Sequence, residues 1–473
     1  MSFRMMSNKK FLLIVCGLLF TTIGHLCEAK TVYVSSSQGN DANNGLTMSK
    51  PFKSLKKALS VGDTVLLKRG DVFYENITVR KGMISHYGKG RIPVVSGYKR
   101  IVNPRWERAG EHLWKISLAD ANYAGFDTKG SSMLNNIGCL HEYDKDLLHG
   151  KKFQFKRQLK EDWDIWQTEH HKKDETKAQD FDSIYLYLHQ NPNLLKLEFS
   201  TGGPAVTISK AVLDGVRFEG YGFGISAGTR TTIKNCEIDA IGGKTQITDV
   251  EYVCYGNGIE FWIVQNLSDC LVENNRISRC YDCACTIQGR VASPKNIRFR
   301  NNLIEDCCQG WEDFLTNNDP EVVFKDCVFE NNVVVNSGKT SGFGYSKGRF
   351  KYCHVLGNNV RGNKGMIIRN NTFVGGNFYC SGAFNGEYKS NVWKGNTCFI
   401  KRGDYILGNY VGSKDVIRIP VDKGKFRSLN EATEDAIRRY RKLTGDQTTQ
   451  FVIMSEKKVS QKINKIKKSR KTK

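Results

Sequence analysis

The sequence predicts an all-β fold in which short parallel strands wind into a single solenoid. Its 473 residues include 45 glycines and only 8 prolines, a balance that suits many tight turns between short strands. One strand–turn–strand unit, TTIKNCEI at 231–238, returns as CLVENNRI (270–277), NIRFRNNLI (296–304), VVFKDCVFENNVV (322–334) and GMIIRNNTF (365–373). No helical period separates these units, which excludes alternating strands and helices. Because one turn cannot bury its inner face alone, successive turns must stack and share a core.

Asparagine marks the corner of most repeats, usually as an Asn-Asn pair. Asparagine tolerates left-handed backbone, and its amide can bond to the asparagine of the next turn. We therefore predict that these pairs are structural corners and do not bind sugar.

The 15 cysteines do not have the pattern of a disulfide framework, although such a framework is common in exported chains. Cys280 and Cys307 recur at one position of the repeat, which predicts buried, free thiols stacked in the core. Zinc is the alternative for Cys280, Cys283 and Cys285, but no matching second pair follows at zinc-site spacing.

The N-terminal region carries a family resemblance. Residues 31–59, TVYVSSSQGNDANNGLTMSKPFKSLKKAL, and 62–79, GDTVLLKRGDVFYENITV, together with the repeats, resemble the right-handed parallel β-helix proteins of the pectate-lyase-like superfamily. The resemblance covers 31–99 and about 200–415. It implies a right-handed, single-stranded parallel β-helix whose open end is capped by a short helix over residues 54–59, since an uncapped coil exposes strand edges. It indicates the fold more specifically than the reaction.

Residues 1–29 are predicted to be a secretory signal peptide, with a basic flank, the apolar run FLLIVCGLLF (11–20) and cleavage after Ala29. The alternative is a lipoprotein cysteine at Cys27. The apolar run is short for a membrane span. We therefore expect a protein without a membrane span that is secreted, periplasmic or at the cell surface.

The remaining chain divides into five predicted segments: an N-terminal cap with the first turns (30–99), an inserted β module (100–200), the main β-helix (201–425), a C-terminal helix (426–447) and a basic disordered tail (448–473). In the module, Trp163, Trp166 and His170 would either line a groove or pack the insertion against the coil. For the C-terminal helix, Ser428 or Asn430 is the expected N-cap and Gly445 the end.

The net charge of +23 is partly concentrated in the leader and the tail. An excess of cations favours a polyanionic partner. Nucleic acid is excluded as the expected partner because the chain has no recognisable nucleic-acid-binding module. We expect a monomer that binds a polysaccharide, with an acidic one favoured.

A carboxylate stands among apolar residues in GIEFW (258–262), and this stretch raises the question of function. When the units are aligned on their asparagine corners, ACTIQ (284–288) and GWEDF (310–314) fall on the same strand of the next turns. Side chains alternate along a strand, so with Ile259 and Phe261 inward, Glu260 and Trp262 face outward. The outward column then continues with Thr286, Gln288, Glu312 and Phe314. Asp282 and Asp313 are expected at or near the same edge.

Acids beside aromatics suit glycoside hydrolysis, in which two carboxyl groups act as acid and as nucleophile or base. Neighbouring turns lie ~4.8 Å apart, near the ~5–5.5 Å of a retaining enzyme, and alternate turns ~9.6 Å apart, at the wide edge for an inverting one. We predict Glu260, Asp282 and Glu312 as the acid, base and nucleophile set.

Further residues are predicted to bind the glycan. Trp262 and Trp311 would be stacking platforms, with an inward Trp311 as the alternative. Gln288 and Arg290 would hold hydroxyl or carboxylate groups, and the remaining candidates are Asp313, Tyr345 and His354.

A calcium-dependent lyase acting on a uronate-containing glycan is the alternative on the same face, because carboxylates from adjacent turns also suit Ca²⁺. The candidate bases are Arg290, Tyr345, Lys347, Arg349 and His354. The sequence has neither the lysine-plus-arginine signature of the alginate and chondroitin lyases of this fold nor the Asp-Asp pairs of polygalacturonases. A hydrolase would need no cofactor. A non-catalytic glycan-binding surface protein is the third alternative.

Overall fold

The repeats form three long sheets whose strands pair in parallel from turn to turn, as a coil requires. The computed structural model describes residues 29–118, 137–153, 156–167, 183–247, 252–262, 266–289, 294–315, 323–337, 354–356, 365–375, 378–380, 392–402, 405–407, 417–418 and 427–469. The strands are numbered β1 to β40 along the chain, and the helices α1 to α3.

The first and second sheets have ten strands each. The first sheet contains β1 (Thr31–Val34), β2 (Thr64–Lys68), β5 (Gly82–Tyr87), β16 (Ala211–Asp214), β19 (Thr232–Lys234), β24 (Ser268–Glu273), β27 (Lys295–Arg300), β30 (Lys325–Glu330), β33 (Ile367–Arg369) and β36 (Val392–Lys394). The second contains β3 (Val72–Phe73), β6 (Val94–Ser96), β17 (Arg217–Glu219), β20 (Glu237–Ile241), β25 (Arg276–Cys280), β28 (Leu303–Glu305), β31 (Val333–Val335), β34 (Thr372–Val374), β37 (Thr397–Lys401) and β40 (Gln450–Met454).

The third sheet positions the candidate site. Its order is β11 (Leu147–His149), β10 (Leu140–Glu142), β15 (Leu197–Ile208), β18 (Tyr221–Ala227), β23 (Ile259–Trp262), β26 (Cys283–Gly289) and β29 (Gln309–Leu315), and β4 (Ile77–Val79) and β7 (Tyr98–Arg100) also pair with β15. Three two-stranded sheets join β21 (Lys244–Ile247) to β22 (Tyr252–Tyr255), β32 (His354–Leu356) to β35 (Phe378–Cys380), and β38 (Tyr405–Leu407) to β39 (Ile417–Arg418). One strand from each long sheet makes one turn, which confirms the predicted right-handed parallel β-helix.

The asparagine corners behave as predicted. The first asparagine of each pair has a left-handed backbone, with φ of 57° at Asn274 and Asn301. The second lies inside the coil, where the side-chain amide donates to the amide oxygen of the next asparagine at 3.0–3.1 Å, in four bonds along the series Asn275, Asn302, Asn332, Asn371 and Asn396. Each amide also donates to a backbone carbonyl, as Asn302 does to Val272 at 3.0 Å.

Removing one member of this ladder should be costly. Asn302→Ala takes away the oxygen that accepts from both the backbone N and the side-chain amide of Asn275, at 3.0 Å each. Buried donors left without an acceptor cost about 1–3 kcal/mol each, so we expect a loss of about 2–4 kcal/mol in the free energy of unfolding. Asn301→Gly, at the same corner, keeps the left-handed backbone and should cost below about 1 kcal/mol. Denaturant unfolding of both variants checks this, and equal costs would contradict the ladder's role.

The core of the coil is apolar and continuous from β1 to α2, with Phe261, Phe299, Phe329 and Trp311 among its aromatic residues. The cysteine prediction is confirmed for ten buried, free thiols: Cys139, Cys236, Cys270, Cys280, Cys283, Cys285, Cys307, Cys308, Cys327 and Cys398.

Within the predicted insertion, a separate five-stranded sheet has its own apolar core. Its order is β12 (Lys151–Lys152), β13 (Asp164–Gln167), β14 (Ser183–Tyr187), β9 (Leu113–Ser117) and β8 (Glu107–Arg108). Trp163 stacks on His149 with ring centroids 3.6 Å apart, and Trp166 lies 5.3 Å from Tyr185, so both tryptophans contact other residues of the insertion. His170 lies outside the described residues.

The helices cap and flank the coil. Helix α1 (Leu55–Val61) is N-capped by Ser54, as expected for the N-terminal cap. Helix α2 (Leu429–Thr444) is N-capped by Ser428 and ends at Gly445, where φ is 72°. Ala436 and Tyr440 of this helix belong to the core of the coil, and Ala432 is also buried.

The prediction of a disordered tail over 448–473 is wrong for residues 448–469, and residues 470–473 lie outside the described residues. This segment forms β40, which extends the second sheet by pairing with β37, and α3 (Glu456–Ser469). Val459 is buried on α3, and Ile463 and Ile466 pack against a cluster of apolar residues on the second sheet. The prediction missed the apolar stripe along one face of α3 because the average hydrophobicity of the segment is low.

No helix among the described residues is long and apolar enough to cross a membrane. The predicted signal peptide lies outside the described residues, except for Ala29 at its end.

Candidate active site

Strand register brings two of the predicted acids onto one column of the third sheet. Ser226 pairs with Glu260, Glu260 with Thr286, and Thr286 with Glu312. The neighbouring column, Ile225, Ile259, Cys285 and Trp311, lies in the core. Because alternate residues of a strand point to opposite faces, Glu260 and Glu312 point outward, two turns or ~9.6 Å apart.

Asp282 immediately precedes β26, on the turn after that of Glu260. Its backbone N donates to Gly256 O at 3.2 Å, and its Oδ1 accepts from Gln309 Nε2 at 3.3 Å. Glu260 Oε2 accepts from Asn257 Nδ2 at 2.8 Å, and Asn257 Oδ1 in turn accepts from the backbone N of Cys283 at 3.0 Å. Asn257 therefore connects two successive turns of the coil, because its side chain contacts Glu260 on one turn and the backbone of Cys283 on the next.

The three carboxyl groups share one poorly solvated environment. Glu260 and Asp282 are only 4% and 7% exposed. Burial, followed by the charge of Glu260, raises the pKa of Asp282 to about 7. Burial also raises the pKa of Glu312 well above its usual range, with further contributions from Asp282, Asp313 and Glu260. The structure thus brings Glu260, Asp282 and Glu312 together, in a cluster where burial raises the pKa of Asp282 and of Glu312.

An open cleft of about 230 Å³ reaches this cluster from the N-terminal side of the coil. It is lined by Pro204, Phe223, Gly224, Ile225, Ser226, Asn257, Glu260 and Trp262. Its volume lies below the ~300–1,000 Å³ of pockets that enclose whole drug-sized ligands. The cleft therefore suits part of a larger ligand, and Glu260 is the acid that lines it.

Trp262 gives the cleft an aromatic wall. Its side chain is 40% exposed. A Cβ added to Gly289, one turn on, would lie 3.0 Å from Cδ2 and Cε3 of Trp262, so the indole rests directly on the Gly289 backbone. Gln288 pairs in register with Trp262 and is buried, and within the described part of the chain its Nε2 has no hydrogen-bond partner.

Two of the predicted glycan contacts are wrong. Trp311 is 2% exposed and packs inside the coil against Phe299, with ring centroids 4.7 Å apart, so it is no stacking platform and the inward alternative is correct. Asp313 is 1% exposed and pairs with the core residue Ile287. Since Glu312 points outward, both of its neighbours must point inward.

Other predicted residues lie where the structure describes little. Arg290, Tyr345, Lys347 and Arg349 are outside the described residues, and only the backbone of His354 is described, in β32 beside β29. Their assignment to substrate binding or to a lyase base stays a prediction.

Sequence reasoning missed four residues of the site: Phe223, Ser226, Asn257 and Gln309. Ser226 could have been predicted, because GISAG (224–228) aligns with GIEFW and this alignment places Ser226 in the column of Glu260. Asn257 stands in the turn before Glu260, where an amide suggests only a turn residue. Phe223 and Gln309 left no signal of that kind.

Among the described residues, no group of three or more His, Cys, Asp or Glu side chains is arranged to hold a metal ion. The calcium alternative therefore rests on the sequence alone.

No protein-family model matches the chain, and no curated protein sequence matches it. Several solved structures resemble it. XylC in complex with xylose has a TM-score of 0.37 and 11% identity, over 89% of this chain and 82% of that chain. GH136 lacto-N-biosidase from Eubacterium ramulus has a TM-score of 0.32 and 11% identity, over 94% and 71%. Alginate lyase from Paenibacillus sp. strain FPU-7 has a TM-score of 0.33 and 14% identity, over 81% and 91%. The strand pairing, rather than these distant likenesses, establishes the fold: the chain is a right-handed parallel β-helix protein.

Proposed function

We propose that this protein is an exported glycoside hydrolase that cleaves a polysaccharide on the outer face of its third sheet. One observation carries the proposal: Glu260 and Asp282 lie on neighbouring turns, and Asp282 has a pKa of about 7 because it is buried beside Glu260. Glycoside hydrolysis requires two carboxyl groups with different tasks, one of which holds a proton at working pH.

Asp282 is assigned the role of the acid. A carboxyl group with a pKa near the working pH can donate a proton to the leaving oxygen and accept one in the following step. Glu260, which lines the cleft and is held by the Asn257 amide, supplies the second carboxylate. Glu260 pairs in register with Thr286, four positions after Asp282, so the two carboxyl groups are offset along their strands and the strand spacing alone does not set the stereochemical outcome.

Glu312, the third acid of the cluster, affects the charge around this pair. It lies two turns from Glu260, and burial raises its pKa well above the usual range. Because burial favours its neutral form, Glu312 places less negative charge next to Asp282 than an exposed glutamate would.

The cleft supplies the binding surface. Sugar rings present apolar faces to aromatic side chains, and Trp262 and Phe223 both line the cleft that contains Glu260. The buried Nε2 of Gln288, in register with Trp262, is a donor suited to a sugar hydroxyl.

A product screen tests the proposal against its alternatives. The protein without its leader is incubated with a panel of neutral and acidic polysaccharides, and reducing ends and ultraviolet-absorbing unsaturated products are measured. New reducing ends without unsaturation support hydrolysis. Unsaturated products that require Ca²⁺ would establish the lyase instead, and binding without any product would establish a glycan-binding protein.

Gly289→Ala tests the aromatic wall. The added methyl displaces Trp262, so we expect KM to rise about 3- to 10-fold, the equivalent of the ~0.5–1.5 kcal/mol of an aromatic contact. Gly70→Ala is the matched control, because Gly70 also has a positive φ, 88° against 78°, but no atom lies within 4 Å of its added Cβ. Equal KM values for the two variants, from initial-rate kinetics, would show that Trp262 does not contact the glycan.

A further inference from the structure

The inserted sheet contacts the segment that precedes Asp282 through one buried lysine. Lys152, in β12, is 4% exposed. Its Nζ donates to Gly242 O at 2.6 Å and to Gly243 O at 2.9 Å. It also lies 4.1 Å from the centre of the Tyr281 ring. These three partners belong to the coil, so the ammonium group joins the insertion to the third sheet's loops.

A buried ammonium group is costly to keep unless it is fully compensated. Two carbonyl oxygens and the face of an aromatic ring provide that compensation here. An apolar side chain would fill the same space without this cost, but it would not fix the position of the two carbonyls and the ring.

The residues that Lys152 contacts adjoin the segments that carry Asp282 and Asn257. Tyr281 precedes Asp282, and its backbone N donates to Ile241 O at 2.8 Å. Strands β21 and β22 pair with each other between Gly243 and Gly256. The carbonyl oxygen of Gly256 accepts a hydrogen bond from the backbone N of Asp282.

The contact between these segments leaves no free space. A Cβ on Gly243 would lie 2.1 Å from Cδ1 of Tyr281, and a Cβ on Gly256 would lie 2.3 Å from Cα of Gly243. Backbones packed this closely cannot shift independently. A displacement at Gly243 or Tyr281 must therefore move Asp282 and the turn that holds Asn257.

We infer that Lys152 is a positioning residue for the Glu260–Asp282 pair, and that the insertion is thereby a working part of the site. This inference rests on the proposed function for its catalytic meaning, but its structural content can be tested separately. The titratable groups that face Asp282 are Glu260, Glu312 and Cys283, and Lys152 also faces Cys139. Loss of the ammonium group should loosen Tyr281, admit water to Asp282 and lower the pH at which Asp282 loses its proton.

Lys152→Met tests the inference, with Lys151→Met as the matched control. Lys151 lies in the same strand, but its ion pair, at 3.2 Å, is with Glu161 of the insertion. For Lys152→Met we expect kcat to fall about 10- to 100-fold with KM little changed, as for a small misplacement of reacting groups. In the pH–rate profile, the apparent pKa of the catalytic acid should fall by about one unit. Lys152→Arg, which keeps the charge and the donors, should retain the wild-type profile.

A second readout does not need activity. The stabilisation by Asp282→Asn grows with pH above the unfolded-state pKa and levels off at the pKa of folded Asp282, so the pH at which it levels off reports the titration midpoint of Asp282 in the folded protein. This midpoint should fall by about one pH unit in the Lys152→Met background and stay in place with Lys151→Met. If Lys152→Met does not fold, Tyr281→Leu removes the ring from the opposite side and should give the same shift. Unchanged midpoints and pH profiles would overturn the inference, whereas a wild-type protein without hydrolytic products would overturn only the proposed function.

Discussion

Replacing Glu260 with glutamine is expected to lower kcat by about 10³-fold or more while the protein stays folded. The substitution keeps the shape of the side chain and the contact with Asn257, but it removes the carboxylate that lines the cleft. A group that acts only as the bond is broken affects kcat more than KM. Initial-rate kinetics on the polysaccharide identified by the product screen measure both constants.

Glu305→Gln is the control for this loss. Glu305 is also buried, at 2% exposed, but it lies on the second sheet and pairs with Arg276 at 2.6 Å. This variant should lose stability and keep its kcat. If kcat of Glu260→Gln stayed within a few fold of the wild type, or only KM changed, Glu260 would not be catalytic.

Asp282→Asn is expected to inactivate the protein and to stabilise it above pH 7. The carboxyl group of Asp282 has a pKa of about 7 when folded, against an ordinary pKa of 3.8 for aspartate. Between these values the folded chain holds a proton that the unfolded chain releases, so stability falls as pH rises from about 4 to about 7. Asparagine has no such proton and can still accept from Gln309. The expected gain above pH 7 is about 2–4 kcal/mol, with little change below pH 4.

Asp239→Asn provides a control of opposite sign. Asp239 is as buried as Asp282, and burial alone would raise its pKa, but the guanidinium groups of Arg279 and Arg217 outweigh burial and hold that pKa well below the usual range. Its carboxylate contributes stability that is present at neutral pH and lost on acidification, so this variant should be less stable at pH 8. Denaturant unfolding of both variants at pH 4 and pH 8 checks the pair. A destabilised Asp282→Asn at pH 8 would contradict the shared acidic environment.

The fold could be predicted because its signals are local and repeated. The left-handed asparagine corner recurs at Asn274, Asn301, Asn331 and Asn370, with the amide ladder beside it, so the same local signal appears several times in the sequence. Counting from those corners also gave the register that places Glu260 and Glu312 in one column. The tail was misjudged because three apolar residues on α3 do not raise its average hydrophobicity.

The site was only partly predictable, for two physical reasons. The first is alternation: GWEDF contains two acids and a tryptophan, but only Glu312 faces outward while Trp311 and Asp313 face the core. The second is distance along the chain. The burial that raises the pKa of Asp282 comes from folding. Lys152 of the insertion lies 130 positions before Asp282 and contacts the neighbouring Tyr281, so no local sequence pattern indicates its role.

The position of a bound glycan is the decisive test of the proposed site. A crystal structure of Glu260→Gln with an uncleaved oligosaccharide from the polysaccharide that the wild type degrades would show it. We expect a sugar ring against Trp262, with the glycosidic oxygen within hydrogen-bond reach of Asp282 and the anomeric carbon beside the substituted side chain at position 260. A glycan bound on the first or second sheet, away from these carboxyl groups, would contradict the proposal.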